Sequence, residues 1–107
     1  MSFFNRIPTV TVMEAFEHVR HEGVVFVDVR NPGEYESGHA EGARNCPLPT
    51  FEPCLDKLHD STEVYVICQS GGRSARATEM LRAHGVHAFN VAGGTSQWHA
   101  SGLPMTK

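Results

Sequence analysis

No stretch of this chain stays apolar for anything near the ~20 residues that a bilayer-spanning helix requires. Its opening residues, MSFFNRIPTV, lack the long apolar centre and small-residue cleavage pattern of a secretory leader. Positive charge is also scarce: nine Lys and Arg face twelve Asp and Glu, for a net charge of −3. That leaves no basic stripe, so neither nucleic acid nor a membrane is an expected partner. Cysteines number three, at uneven spacing, which neither pairs them all off nor forms a C-x-x-C zinc hook. The seven histidines are dispersed without the spacing and carboxylate company of a metal site. No metal is therefore expected, and a reducing, cytoplasmic location fits best. Internal repeats and dividing linkers are absent too, so residues 1–107 read as a single domain.

The 40% of apolar residues suffices for a core, and their spacing gives alternating strands and helices. Thr9 to Thr11 is short and β-rich, and Thr11 with Glu14 makes a capping box. Val12, Ala15, Phe16 and Val19 then follow helical spacing, and Gly23 ends the helix. Val24 to Val29 is a nearly unbroken apolar run, the pattern of a strand covered on both faces. Pro32 opens a short helix reaching about Ser37, and Ala43 to Cys46 is a brief strand. Thr50 can cap a helix with Phe51, Cys54, Leu55 and Leu58 on one stripe and Pro53 in its first turn. Val64 to Ile67 is the next strand. A helix from Ser74 to His84 buries Ala77, Met80 and Leu81 and is closed by Gly85. His87 to Val91 is the last strand and Thr95 to Ala100 a final short helix. Such alternation predicts an α/β fold with a central, mostly parallel sheet of about five strands and helices on both faces.

The run Cys68-Gln69-Ser70-Gly71-Gly72-Arg73-Ser74 carries the chemistry. A thiol ending a strand, a glycine-bearing loop and an arginine at a helix entrance form an anion cradle. Its backbone N–H groups, from Gln69 to Ser74, converge on one point, and a helix start adds about half a positive charge. That field would lower the pKa of Cys68 and hold it as a nucleophilic thiolate. Arg73 offers a planar cation for an oxyanion, while Gln69 and Ser70 offer side-chain donors at the rim. Cys68, Asp28 to Arg30 and Gly93-Gly94 each follow a strand, so all three should gather at one sheet edge.

This loop resembles the active-site loop of the rhodanese family of sulfurtransferases, and three further landmarks follow the family's order. Asp28-Val29-Arg30, Glu34-Tyr35 and Gly38-His39-Ala40-Glu41-Gly42-Ala43 look like its first signature. Gly93-Gly94-Thr95-Ser96-Gln97-Trp98 and Gly102-Leu103-Pro104 are similar to its carboxyl-terminal pattern. Ala40 stands where isoleucine is common, and Cys46 interrupts the family's Asn-Ile-Pro. The resemblance implies a three-layer rhodanese-like fold and a thiosulfate sulfurtransferase without metal or organic cofactor. Cys68 would carry sulfur as a persulfide from thiosulfate to cyanide in the assay, or to a cellular acceptor such as a small thiol or a thioredoxin-like protein. Mercaptopyruvate or a persulfide donor protein could load the same cysteine.

Two other chemistries fit the same elements. Cysteine phosphatases and arsenate reductases also set a thiolate under N–H groups with a trailing arginine, but their loops carry five intervening residues where this one has four. Rhodanese-like domains also serve as non-catalytic binding modules, though these often lack the cysteine. Among the remaining residues, Cys46 and Cys54 are expected in the core, with a resolving role as the alternative. Asp28, Arg30 and Glu34 are expected to form one ion-pair network, His39 a structural hydrogen bond, and Trp98 core or pocket wall.

Overall fold

In the computed structural model, residues 7–58, 61 and 63–107 are described. Thr11 caps the first helix, α1 (Val12–His18), through the reciprocal bonds with Glu14 that the sequence announces. Before it lies β1 (Thr9–Val10), and after it β2 (Val24–Asp28). Asn31 and Glu34 form a second capping box at α2 (Pro32–Glu36). Then come β3 (His39–Ala40), β4 (Arg44–Asn45), a 3-10 turn (Leu48–Thr50) and α3 (Glu52–Leu58). The chain continues through β5 (Glu63–Ile67), α4 (Gly72–Ala83), β6 (Ala88–Val91), α5 (Gly94–Ala100) and β7 (Met105–Thr106).

Five strands make one sheet in the order β1-β6-β5-β2-β4, and every pairing is parallel. Because side chains alternate along a strand, β2 and β5 supply both faces. Val27, Val64 and Val66 pack with Ala77, Leu81, Phe51 and Leu58 under α3 and α4. Phe26, Tyr65 and Ile67 pack with Val12, Ala15 and Trp98 under α1 and α5. The architecture is thus three layers of α/β type, and the nearly unbroken apolar run of β2 reflects burial on both sides.

Several expected boundaries shift. Thr50 does not cap α3: it closes the 3-10 turn, its hydroxyl facing the Pro47 carbonyl at 3.5 Å, and α3 starts two residues later. The side chain of Leu55 lies outside the described residues. The helix α4 begins at Gly72 rather than Ser74, because Gly71 takes φ +120° and lets the chain turn into the helix earlier. Met80 is only half-buried, whereas Thr78 and Ser74 are fully buried on the same helix. The antiparallel pair β3–β7 has no counterpart in the sequence pattern, since two-residue strands are too short to show alternation. Trp98 is buried, its indole N–H donating to the Pro104 carbonyl at 2.7 Å, and it packs against Phe16 and Phe26.

Candidate active site

All strands of the main sheet run the same way, so their carboxyl ends share one edge. Cys68 follows β5, Asp28 ends β2, and Gly93-Gly94 follow β6. Hydrogen bonds join the three. Thr95 donates its backbone N–H (2.8 Å) and hydroxyl (3.1 Å) to the Cys68 carbonyl, and the Ser96 N–H donates to the Gln69 carbonyl at 3.1 Å. The start of α5 therefore holds the loop's first two carbonyl oxygens.

On the other side of the loop, the Gly71 N–H donates to Cys68 Sγ at 3.0 Å, and the Ser74 hydroxyl lies 3.2 Å from the same sulfur. Burial by itself pushes the Cys68 thiol up. The Ser74 hydroxyl, joined by the backbone N–H groups of Ser74, Gly71 and Ser70, outweighs it and leaves the thiol below its ordinary value. Sulfur thus sits at the floor of the loop, buried, beneath the exposed Gln69 and Ser70 and the exposed Gly72.

Ser74 has one hydroxyl hydrogen and three neighbours able to take it: Cys68 Sγ, the Gly71 carbonyl at 3.1 Å and Asn90 Oδ1 at 2.6 Å. With a protonated thiol, S–H can donate to Ser74 while Ser74 donates to Asn90. With a thiolate, the hydroxyl turns to the sulfur. Ser74→Ala should therefore move the pH midpoint of Cys68 alkylation by iodoacetamide upward. It should also cost ~1–3 kcal/mol of stability, because Asn90 Oδ1 is left buried without its donor. An unchanged alkylation midpoint would show that the hydroxyl does not stabilise the thiolate.

Arg73 lies in the first turn of α4, and its guanidinium grips Glu34 from α2: Nη1 donates to Oε1 at 2.7 Å and Nη2 to Oε2 at 3.0 Å. Hydrogen bonding from Arg73 holds Glu34 at about 2. Above the ordinary carboxylate range the pair contributes its full stability, and that stability is lost as pH falls from there through about 2. The single Asp28–Arg30–Glu34 network expected from sequence is corrected accordingly. Arg30 pairs with Asp28, Nη2 to Oδ2 at 2.8 Å with both residues buried, while Glu34 belongs to Arg73.

Arg30 also donates to the Gly38 carbonyl (2.8 Å) and to Gln69 Oε1 (3.2 Å). The Gln69 amide nitrogen donates to Ser96 Oγ at 2.7 Å. Gln69 is a strut between Arg30 and α5 rather than a free donor at the rim. His39 makes its bond through Nδ1 to the Tyr35 carbonyl at 2.8 Å and stacks on the Tyr35 ring.

Cys46 and Cys54 are free thiols in the core cluster that also contains Cys68. Burial, reinforced by the neighbouring Cys54 thiol, pushes Cys46 up to about 12. Among the described residues, no cluster of His, Cys, Asp and Glu could hold a metal ion, and no helix is long and apolar enough to cross a membrane.

Sequence reasoning passes over Asn90 and Thr95, both buried at this edge. Asn90 does leave a signal, a lone amide between Phe89 and Val91 in an otherwise apolar strand. Thr95 leaves none, since a threonine at a short helix start reads as a cap.

A rhodanese-like domain model matches residues 11–101. An Arabidopsis thaliana protein named thiosulfate sulfurtransferase 16, chloroplastic, is 34% identical, with 94% of this chain and 94% of that protein covered. In three other relatives the chain spans 58%, 51% and 50% of their lengths. Among solved structures, a Staphylococcus saprophyticus protein is 34% identical with a TM-score of 0.79, covering 92% of this chain and 99% of that one. A Rhodopseudomonas palustris protein of unknown function, described as a possible tyrosine phosphatase, is 26% identical with a TM-score of 0.79, covering 95% of this chain and 86% of its own.

Proposed function

Since the chain belongs to the rhodanese-like family, we propose that it is a sulfurtransferase whose Cys68 carries sulfane sulfur from thiosulfate to a thiophilic acceptor. The observation that carries this is the Cys68 sulfur beneath the Gly71 N–H and beside the Ser74 hydroxyl. The thiolate attacks the outer sulfur of thiosulfate. A new S–S bond forms to Cys68, the donor's S–S bond breaks, and sulfite leaves with its electron pair. Cyanide, or a thiolate, then attacks the outer sulfur of the Cys68 persulfide and returns the electron pair to Cys68. Both steps are displacements at sulfur, so the cycle consumes no external oxidant or reductant. N–H groups around the sulfur stabilise the thiolate at the start and the persulfide anion between steps.

In this reading Arg73 receives the donor's sulfonate, which has to share or displace the Glu34 carboxylate. The partly exposed pair contributes only ~0.2–1 kcal/mol to folding. Arg73→Ala should therefore raise KM for thiosulfate ~10-fold or more, the loss of a charge-assisted contact, with little change in melting temperature. An unaltered KM would remove Arg73 from donor binding.

Phosphatase chemistry fits less well. Only four residues separate Cys68 from Arg73, where phosphatase loops carry five. A non-catalytic binding role is separated by alkylation: an activated Cys68 reacts with iodoacetamide near neutral pH while Cys46, pushed up to about 12, does not.

A further inference from the structure

The strand β6 carries one polar side chain, the buried Asn90. Alternation puts it on the same face as Ala88, which packs with Val64, Val66, Ala77 and Leu81 under α4. A buried amide costs free energy there unless it is bonded. Among the described residues its side chain makes one hydrogen bond: Oδ1 accepts the Ser74 hydroxyl at 2.6 Å. The same hydroxyl oxygen lies 3.2 Å from Cys68 Sγ. Cys68, Ser74 and Asn90, from the end of β5, α4 and β6, thus form a chain of polar side chains two contacts long. Because no second bond among the described residues fixes the amide, it can turn about χ2, a broad two-fold torsion. Turning presents a donor, Nδ2, where an acceptor stood.

We propose that the Asn90 amide turns over as Cys68 ionises, making Asn90 the positioning residue that frees the Ser74 hydroxyl for the sulfur anion. With a thiol, S–H donates to Ser74 Oγ and the Ser74 hydroxyl donates to Asn90 Oδ1. With a thiolate, the Ser74 hydroxyl donates to sulfur and Asn90 Nδ2 donates to Ser74 Oγ. The proton lost from sulfur goes to solvent, and each contact keeps one donor and one acceptor in both states. A fixed amide would set two acceptor oxygens against each other at 2.6 Å in the thiolate state, and so favour the thiol. A turning amide favours the anion, because the chain of donors then ends on a charge. The assignment rests on the sulfurtransferase reading and deepens it. When an acceptor takes the outer sulfur, the electron pair returns to Cys68 as the thiolate that this chain receives.

The test follows iodoacetamide alkylation of Cys68 against pH in the full chain, by peptide mass. Asn90→Leu is close in size and has neither donor nor acceptor. It should raise the midpoint by ~0.4–1 pH unit, the worth of one hydrogen bond. The charged groups at this edge, Arg73 with its Glu34 partner and the Asp28–Arg30 pair, stay the same in this variant. In a Ser74→Ala background the same change should shift the midpoint by no more than ~0.3 unit, since the link to sulfur is already gone. A merely structural acceptor predicts the opposite: freed from Asn90, the Ser74 hydroxyl would turn to sulfur and the midpoint would fall. An unchanged or lower midpoint in Asn90→Leu overturns the proposal, as does a shift that persists undiminished without Ser74. The wild-type chain gives a second reading that no loss of folding can spoil. In its side-chain amide NMR spectrum, one Asn90 Nδ2 proton should move downfield through the Cys68 midpoint as it enters its bond to Ser74, and hold still in Cys68→Ser. Amide protons that ignore the ionisation of Cys68 would also overturn the proposal. Neither measurement uses a sulfur donor, so a failure to load from thiosulfate sinks the transferase reading and leaves this test able to decide.

Discussion

Cys68→Ser will take up no sulfur from thiosulfate, and thiocyanate formation will fall on the order of 10³-fold or more, as expected when a covalent carrier is removed. Ionisation of the nucleophile decides the outcome. The Gly71 N–H and the Ser74 hydroxyl stabilise the sulfur anion and hold the Cys68 thiol below its ordinary value. A serine hydroxyl starts many units higher, and among the described residues no base adjoins it to take the proton: the neighbours of Sγ are backbone N–H groups and a hydroxyl. Serine also cannot form a persulfide, so even a slow attack would not complete the cycle. Folding should be nearly unaffected, because the change is close to isosteric and the hydroxyl keeps its polar neighbours. Intact mass after thiosulfate treatment is the decisive measurement: one added sulfur on the wild-type chain, removed by cyanide, and none on the variant. Sulfur retained by the serine protein would place the carrier at Cys46 or Cys54.

Much of this site is legible in the sequence because its parts lie close together in the chain. The strand, the thiol, Gly71 and the helix that follows occupy one continuous segment, so a local pattern specifies a local geometry. The same holds for the caps at Thr11 and Asn31, where donor and acceptor are three residues apart. Pairings across the chain are not legible in this way. Glu34 has Arg30 four residues before it and Arg73 39 residues after it; spacing alone favours the first, but Asp28 already occupies Arg30. Gln69 is similar. A polar side chain in an anion loop reads as a ligand donor until Arg30 and Ser96 are seen to hold both ends of its amide. Thr50 fails for another reason: its sequence supports a cap, but Pro47 to Thr50 satisfy a 3-10 turn first. The two-residue strands β3 and β7 owe their existence to each other, since neither segment is long enough to carry a pattern.

Gly94→Ala should destabilise the protein by about 2–5 kcal/mol, a large share of the ~5–15 kcal/mol that holds a small domain. Gly94 has φ +58°, where a residue with Cβ pays ~1–2 kcal/mol. The added methyl would also stand 2.6 Å from the carbonyl carbon and oxygen of Gln69, and nearer still to the Cys68 carbonyl oxygen. These are backbone atoms of the thiol loop, so no side chain can rotate away, and overpacking adds ~1–3 kcal/mol. Gly102 supplies the control: it has φ +75° and open space, with nothing within 4 Å of where a methyl would stand. Gly102→Ala should therefore cost only the backbone term, ~1–2 kcal/mol. Urea unfolding of the two variants separates clash from conformation. A functional consequence follows from the same contact. Thr95 and Ser96 hold the carbonyls of Cys68 and Gln69 only because α5 approaches this closely. Pushing α5 away loosens the loop and misaligns the N–H groups around the sulfur, so Cys68 of folded Gly94→Ala should be alkylated more slowly at neutral pH. Matching unfolding midpoints for the two alanine variants would mean that the loop yields without penalty, and that α5 does not brace it.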